Sequence, residues 1–470
     1  MADPGMTIGG VPAEAKSTFG VIDPATAEVF AQAPDCTEEQ LDLAMSTAQA
    51  AFREWRRDDE RRRAALREAA ASVQADTERI AALLTAEQGK PLDDARMEVM
   101  GAVYWLGYYA DLDVPREVVQ DDANGYAEVV RRPLGVVAAI TPWNFPVALA
   151  SWKIAPALRA GNTMVLKPSP YTPLATLALG EALARALPPG VLNVVSGRDP
   201  LGARMTSHPV PRKISFTGST PTGKVIARTA ADDLKRLTLE LGGNDPAILL
   251  DDADPGRIAD SLFWGAFANC GQICLAVKRV YAPRSIYADV VEALAEKARA
   301  VKVDAGTVEG ARIGPINNRP QYDRVAGLVE DALGKGARAA AGGAPLDRPG
   351  YFYRPTVLAD VSDGVAIVDE EQFGPALPVI AYGDVDEAIE RANGTPYGLT
   401  ASVWSADVDR ARAVAADLDC GQVSINAHGA GVRPDLPFGG AKWSGVGVEN
   451  GIWGLYGFTE TQVLTVPPAA

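Results

Sequence analysis

PLGVVAAITPWNFPVALASW, Pro133 to Trp152, runs 20 residues without a charge, about the length that spans a bilayer. Pro133, Pro142, Asn144 and Pro146 stand inside it. They would break a spanning helix and leave backbone groups unpaired in lipid, so the stretch reads as a buried strand, VVAAIT, followed by an irregular packed turn. Outward from it the same β-type signature recurs in TMVLKP (163–168), LNVVSG (192–197), KISFTG (213–218), LTLELGG (237–243) and PAILLDD (246–252). Helical or loop segments, such as 171–187 and 219–233, separate these runs. Strands alternating with helices predict a parallel sheet covered on both faces. A second set follows Cys274: VKRVYAP, a helix over 285–302, PTVLADV, LPVIAYG, a helix over 384–393 and GQVSIN, which predicts a second α/β domain. Upstream, Thr37 to about Asp113 has a helical pattern, with Ile80, Leu83 and Leu84 at helical spacing.

The chain has 470 residues, a formal net charge of −15, 47% hydrophobic and 22% charged residues, a soluble globular composition with room for two to four domains. An acidic balance offers no bulk attraction for nucleic acid, so a phosphate-bearing ligand needs backbone amides and a few placed lysines. Four cysteines, Cys36, Cys270, Cys274 and Cys420, are too few for a disulfide scaffold and form no CxxC, so a reducing cytoplasm is expected and no metal. MADPGMTIGG lacks the layout of a signal peptide, and no membrane anchor is expected. Gly125–Arg132 and the final TETQVLTV read as edge strands that either pair with a second subunit or extend the chain's own sheet.

GSTPTGK, Gly218 to Lys224, lies between a β-type run and a helical segment and nearly spells a triphosphate loop. Val225 stands where that loop needs Ser or Thr for magnesium, which disfavours a triphosphatase. A glycine turn opening a helix still suits a phosphate, although an ordinary βα turn has the same pattern. Gly445, Gly447 and Gly451 have the wrong spacing and place for a dinucleotide loop. FANCGQICLAVKR, Phe267 to Arg279, puts Cys274 after a helical stretch and a Gly-Gln turn, where a kink would expose a thiol. A free cysteine is more often a buried hydrophobe, and only His208 and His428 are available as imidazole bases, so a carboxylate base is favoured. Glu240 ends an apolar strand before two glycines. Apolar surroundings would raise its pKa as a general base requires, the ordinary reading being a solvent-facing strand end. Asn144, held between two aromatics and two prolines, offers an amide for an oxyanion, or else satisfies its own turn.

Taken together, TPWNFP, FTGSTPTG, LELGG with the Cys of GQIC 34 residues after its Glu, EEQFGP and PFGGAKWSGVGVENG resemble, in order and along nearly the whole chain, the aldehyde dehydrogenase superfamily. The resemblance implies two doubly wound α/β domains plus a small β oligomerisation extension. Residues 1–114 with 134–242 and 444–458 would form a dinucleotide-binding domain, 243–443 a catalytic domain, and 115–133 with 459–470 oligomerisation strands of a homodimer or homotetramer. It implies Cys274 as nucleophile, Glu240 as general base, and Asn144 with the Cys274 amide as oxyanion hole. Glu449 matches a proton-relaying glutamate, although Val448 replaces the Arg that often precedes it. For the cofactor it implies Thr141, Trp143, Lys167, Ser169, Gly218, Ser219, Gly242, Glu371 and Phe373. Leu149, Trp152, Ile273, Leu275 and Phe438 would line an aldehyde tunnel, with His428 and Arg433 on a loop reaching its mouth. There Arg433 would either pair with a substrate carboxylate or be an ordinary surface arginine.

The implied reaction is NAD(P)-dependent oxidation of an aldehyde to a carboxylic acid through a Cys274 thiohemiacetal and thioester. Glu240 favours hydrolysis, because relatives that pass the acyl group to coenzyme A usually lack that glutamate. An unperturbed thiol near ~8.5 is barely ionised at neutral pH, so the site should lower that value or pass the proton to a base. Pro170 stands where many NAD-preferring relatives have Glu, which removes a carboxylate that would repel a 2′-phosphate and admits NADP, but no additional Arg or Lys stands beside it, so NAD is expected. The alternatives are a cofactor-independent thiol hydrolase or acyltransferase, and a binding or structural member of the fold with its catalytic residues idle.

Overall fold

The computed structural model describes residues 3–468, so residues 1–2 and 469–470, the outermost ends of the expected first domain and C-terminal strand, lie outside the described residues. Five of the six apolar runs read before Cys274 form parallel strands ordered Arg236–Glu240, Lys213–Thr217, Val136–Ile140, Thr163–Lys167, Leu192–Val194, whereas the sixth, PAILLDD, belongs to the second sheet. Antiparallel edges, Gly445–Val446 on one side and Met6–Ile8 with Val11–Ala13 on the other, complete eight strands. The chain steps outward from Val136–Ile140 to Leu192–Val194, then returns to the opposite side with Lys213–Thr217. That reversal opens a crevice at the carboxyl ends of Val136–Ile140 and Lys213–Thr217, where open α/β sheets bind ligands.

The second sheet has seven strands in the order Arg338–Ala341, Thr356–Ala359, Ala376–Tyr382, Val277–Pro283, Asp245–Leu249, Thr400–Trp404, Gln422–Ile425, parallel except for the first pair. Each large sheet has its own apolar core. Arg236–Glu240 ends the first sheet and Asp245–Leu249 begins the second, so the LGGN turn puts Glu240 at the junction of the two layers. Thr459–Val466, Gly125–Pro133 and Glu117–Asp122 neither extend a large sheet nor stand alone. They pair with one another as a three-stranded antiparallel sheet, with Thr459 opposite Pro133 and Val466 opposite Tyr126.

Two expectations are corrected. The turn after VVAAIT is short: a helix, Pro146–Arg159, begins at once, because Pro146 occupies its first turn, where a missing N–H costs nothing. This helix is buried nearly all round, so its unbroken apolar run reflects a core helix. The helical lead-in, Glu38–Trp55, Asp59–Ala75, Thr77–Gln88 and Leu92–Asp111, is preceded by four strands not foreseen, of which Thr18–Asp23 and Glu28–Pro34 make a hairpin of their own. Among the described residues no helix is long and apolar enough to cross a membrane.

Candidate active site

The helix Pro255–Phe267 ends in a tight turn in which Asn269, Cys270 and Gly271 all take left-handed backbone, with φ of 51°, 60° and 70°. Such conformations cost about 1–2 kcal/mol for each non-glycine residue, so neighbours must hold them. Asn269 Nδ2 donates to the carbonyls of Asn144 (3.2 Å) and Gln272 (3.3 Å), Gln272 Nε2 donates to Asn269 O (3.0 Å), and Gln272 Oε1 accepts from the Asn317 amide (2.8 Å). A Cβ at Gly271 would strike the Gly374 carbonyl, so only glycine fits there. The kink buries Cys270 and turns Cys274 into a cavity of about 440 Å³. Asn144, Leu149, Trp152, Ile273, Leu275 and Phe438 line the same cavity, so every residue expected in the tunnel meets there. Asn144 Nδ2 donates to Gln272 O at 2.9 Å, which fixes its amide two residues from the nucleophile and leaves its second N–H available. The Cys274 amide donates to no described residue. The two donors suit an oxyanion on a carbon bonded to Cys274 Sγ.

Burial outweighs the nearby Lys278 ammonium and pushes the Cys274 thiol up to about 12. Of the two routes expected, transfer of the proton to a base is the one these surroundings favour. Glu240 is buried, and neither of its carboxylate oxygens has a hydrogen-bond partner. Burial first, then repulsion from Glu449, raises its carboxyl well above the usual range, with Lys153 opposing. Glu449 Oε1 accepts from Lys153 Nζ at 2.6 Å, and the same Nζ donates to Thr217 Oγ1 at 2.7 Å. The two glutamates thus share one buried lysine across the first sheet's edge, where Glu240 pairs in register with Gly445.

The crevice at the strand ends holds the residues expected to bind a dinucleotide. Ile140, Lys167, Thr217 and Glu240 end adjacent strands, Ile140 opposite both Lys167 and Phe216, and Thr217 opposite Glu240 one residue further on, which brings Thr141, Ser169, Gly218 and Gly242 just beyond the strand ends. The set fits such a ligand. Ser219 caps the helix Thr220–Ala231, accepting from Thr222 N at 3.4 Å, and that helix's first amides face the crevice. A Cβ at Gly218 would meet the Phe216 ring at 2.5 Å, so the close approach requires glycine. Thr141 Oγ1 is buried without a partner, while Lys167 Nζ, held down to about 8 by burial, donates only to Pro168 O at 3.1 Å. On the opposite wall Glu371 Oε1 accepts from the Gly243 amide at 3.2 Å, packing where Gly242 has no side chain, and Phe373 sets its ring edge against Trp143 at 5.3 Å. Among the described residues no His, Cys, Asp and Glu cluster could hold a metal.

Two expected mouth residues are elsewhere. Arg433 is exposed and clasped by Asp435, at 2.9 and 2.6 Å, so it is the ordinary surface arginine and does not line the cavity. His428 lies behind the tunnel wall in a directed chain. Trp404 Nε1 can only donate, and does so to Ser402 Oγ (2.9 Å); Ser402 then donates to His428 Nδ1 (2.9 Å), and Nε2–H donates to the Leu275 carbonyl (2.6 Å). Burial keeps the imidazole neutral, the state in which Nδ1 accepts from Ser402 while Nε2–H anchors the residue after Cys274. Burial holds His428 down to about 4, whereas in the unfolded chain it titrates near 6.5. Between those values the unfolded chain binds the extra proton, so the protein loses up to about 3 kcal/mol as pH falls from 6.5 to 4. Urea unfolding across this window should show a shallower pH slope in His428→Gln; equal slopes would remove His428 as the cause.

The sequence reading missed several residues that hold the site in place. Glu98 accepts from the amides of Val147 (2.9 Å) and Ala148 (3.1 Å), capping Pro146–Arg159 from another helix. Its partner Lys90 donates to the Asn144 carbonyl at 2.9 Å. The available signals were a lone lysine, Lys153, in the otherwise apolar PVALASWKIA, and Glu98 in phase with buried Ala95, Val99 and Ala102. Asp199 was also missed; the Lys167 tail runs 4.0 Å from the Cβ position of Gly202, one turn along the helix that Asp199 opens.

The chain matches the Aldehyde dehydrogenase family over residues 11–464. A 3-sulfolactaldehyde dehydrogenase from Pseudomonas putida is 38% identical over 459 residues, covering 96% of this chain and 94% of the relative. An NAD+ complex of aldehyde dehydrogenase from Bacillus cereus superposes with a TM-score of 0.96 at 37% identity, over 99% of this chain and 97% of that one. An NADP-dependent enzyme of E. coli gives a TM-score of 0.96 at 35% identity, over 99% and 98%. With a family match along almost its full length, and with Asn144 and Cys274 of two of the motifs meeting in one cavity, the chain belongs to the aldehyde dehydrogenase family.

Proposed function

We propose that the chain oxidises an aldehyde to its carboxylic acid, with Cys274 as nucleophile and Glu240 as base. The observation that carries this reading is the convergence of Cys274, the Asn144 amide and the tunnel residues on one cavity, with a buried, unpartnered Glu240 at the junction behind it. The Cys274 thiol hands its proton to Glu240 as Sγ bonds to the aldehyde carbon. The resulting alkoxide of the thiohemiacetal is held by Asn144 Nδ2 and the Cys274 amide. NAD, when bound, supplies the acceptor for the hydride that carbon must lose. Once that first proton has left Glu240, the carboxylate takes a proton from water as the water attacks the Cys274 thioester; the C–S bond breaks, Glu240 returns the proton to the Cys274 sulfur, and the acid leaves. Lys153 and Glu449 give the Glu240 proton an exit within the sheet edge.

Thr141, Trp143, Lys167, Ser169, Gly218, Ser219 and Gly242 would hold the dinucleotide on the sheet side, Glu371 and Phe373 opposite. NAD is favoured because Asp199, beside Lys167, supplies a carboxylate that Pro170 lacks, and a carboxylate there repels a 2′-phosphate; NADP remains admitted by Arg198 in the same cavity of about 530 Å³. The small sheet of Thr459–Val466, Gly125–Pro133 and Glu117–Asp122, with Val118, Val119, Val463 and Leu464 exposed, supports assembly as a cytoplasmic homodimer or homotetramer. The test is a mass balance. Purified protein given benzaldehyde and NAD should form acid and reduced dinucleotide in equal amounts, and none when NAD is withheld. Acid formed without dinucleotide would return the reading to a cofactor-independent thiol enzyme.

A further inference from the structure

The walls of the tunnel carry an unbalanced charge. Trp105 and Trp152 stack at 5.4 Å with planes 14° apart, and Phe438 sets its edge on Trp152 at 5.5 Å, making a flat aromatic slot above Cys274. Three charged side chains reach the cavity: Lys90, Glu98 and Asp94. Lys90 and Glu98 are buried and neutralise each other in a direct ion pair. Asp94 is half-buried and makes no ion pair or hydrogen bond with any described residue. Arg433, the cation proposed for a substrate carboxylate, is occupied by Asp435 outside the cavity. The tunnel therefore presents aromatic surface and one half-buried carboxylate without a direct partner, felt only at longer range by Lys90, already paired with Glu98, and by Arg312 outside the cavity wall.

Resting on the reading of the site as an aldehyde oxidase, we infer that the substrates are uncharged aldehydes with a flat aromatic or extended apolar body, and that Asp94 excludes aldehydes bearing a distal carboxylate. An anionic tail entering this slot would lose its hydration without gaining a partner and would face a like charge across an apolar wall. A neutral ring of the same shape exchanges water for the faces of Trp105, Trp152 and Phe438.

Shape-matched pairs test this. The parent enzyme should favour 4-methylbenzaldehyde over 4-carboxybenzaldehyde, and butanal over succinic semialdehyde, by at least about a hundredfold in kcat/KM. Asp94→Asn should narrow both ratios about tenfold, whereas Asp93→Asn, in an exposed pair with Arg96, should leave them as in the parent. Equal kcat/KM within the pairs in the parent, or ratios unmoved by Asp94→Asn, would overturn the inference. Failure to oxidise either member of any pair would strike the proposed function instead, so the two failures are distinguishable.

Discussion

Cys274→Ser is expected to lower aldehyde oxidation by at least about three orders of magnitude, read as reduced-dinucleotide formation on the parent's best substrate. Serine keeps the shape of the turn but loses the polarizable sulfur and the thioester as a leaving group for water. The site's electrostatics sharpen the expectation. With burial pushing its thiol up to about 12, Cys274 is overwhelmingly a thiol at neutral pH, so the attack depends on a base. Alkylation of Cys274 by iodoacetamide should consequently be slow at pH 7 and climb about tenfold per pH unit up to pH 10, with no plateau at a free thiol's ~8.5. A serine variant as fast as the parent would exclude covalent catalysis at this position.

Glu240→Gln carries the second large effect. Removing the base should cut steady-state turnover by about 10²- to 10⁴-fold, because both the thiol proton and the proton of the hydrolytic water go to this carboxylate. Acylating the protein with p-nitrophenyl acetate separates the second role from the first. In the variant the acetyl adduct on Cys274, followed by intact mass, should outlast that of the parent by a similar factor. Adducts that decay at equal rates would give deacylation to another group.

The sheet around the crevice was legible because parallel strands buried on both faces leave unbroken apolar runs, and each run here ended at a residue the motifs singled out. Cys274 and Asn144 were legible for a related reason: glycine and proline turns punctuate the chain where their side chains leave a strand or helix, whereas the tunnel residues came only from the family resemblance. The helix Pro146–Arg159 was hidden by its own first residue, since a proline that breaks a helix interior also starts one. The strand Thr18–Asp23 buries only Phe19 and Val21, too brief an alternation to stand out. The helix-capping partners of Glu87 and Glu98 were beyond reach from sequence, although Glu98 itself stood in phase with an apolar helix face. Each glutamate caps a helix in a different part of the chain, Glu87 through the amides of Leu174 and Ala175, and such a contact leaves no mark near either partner. Local spacing likewise says nothing of the Lys153 to Glu449 pairing, which spans most of the chain.

The two concealed ion pairs also set how the molecule meets its solution. Lys90 with Glu98 and Lys153 with Glu449 are each at most 1% exposed at the side chain, whereas pairs such as Arg57 with Glu54 are mostly open to solvent. Mobile ions at physiological ionic strength damp fields over about 8 Å in water, but they do not enter a dry interior. Brine therefore weakens the decorative outer pairs and relaxes the self-repulsion of a surface carrying 15 excess negative charges, while the posts that hold the reactive centre stay unscreened. The architecture keeps its chemistry indifferent to a cell's osmotic swings and leaves the exterior to absorb them.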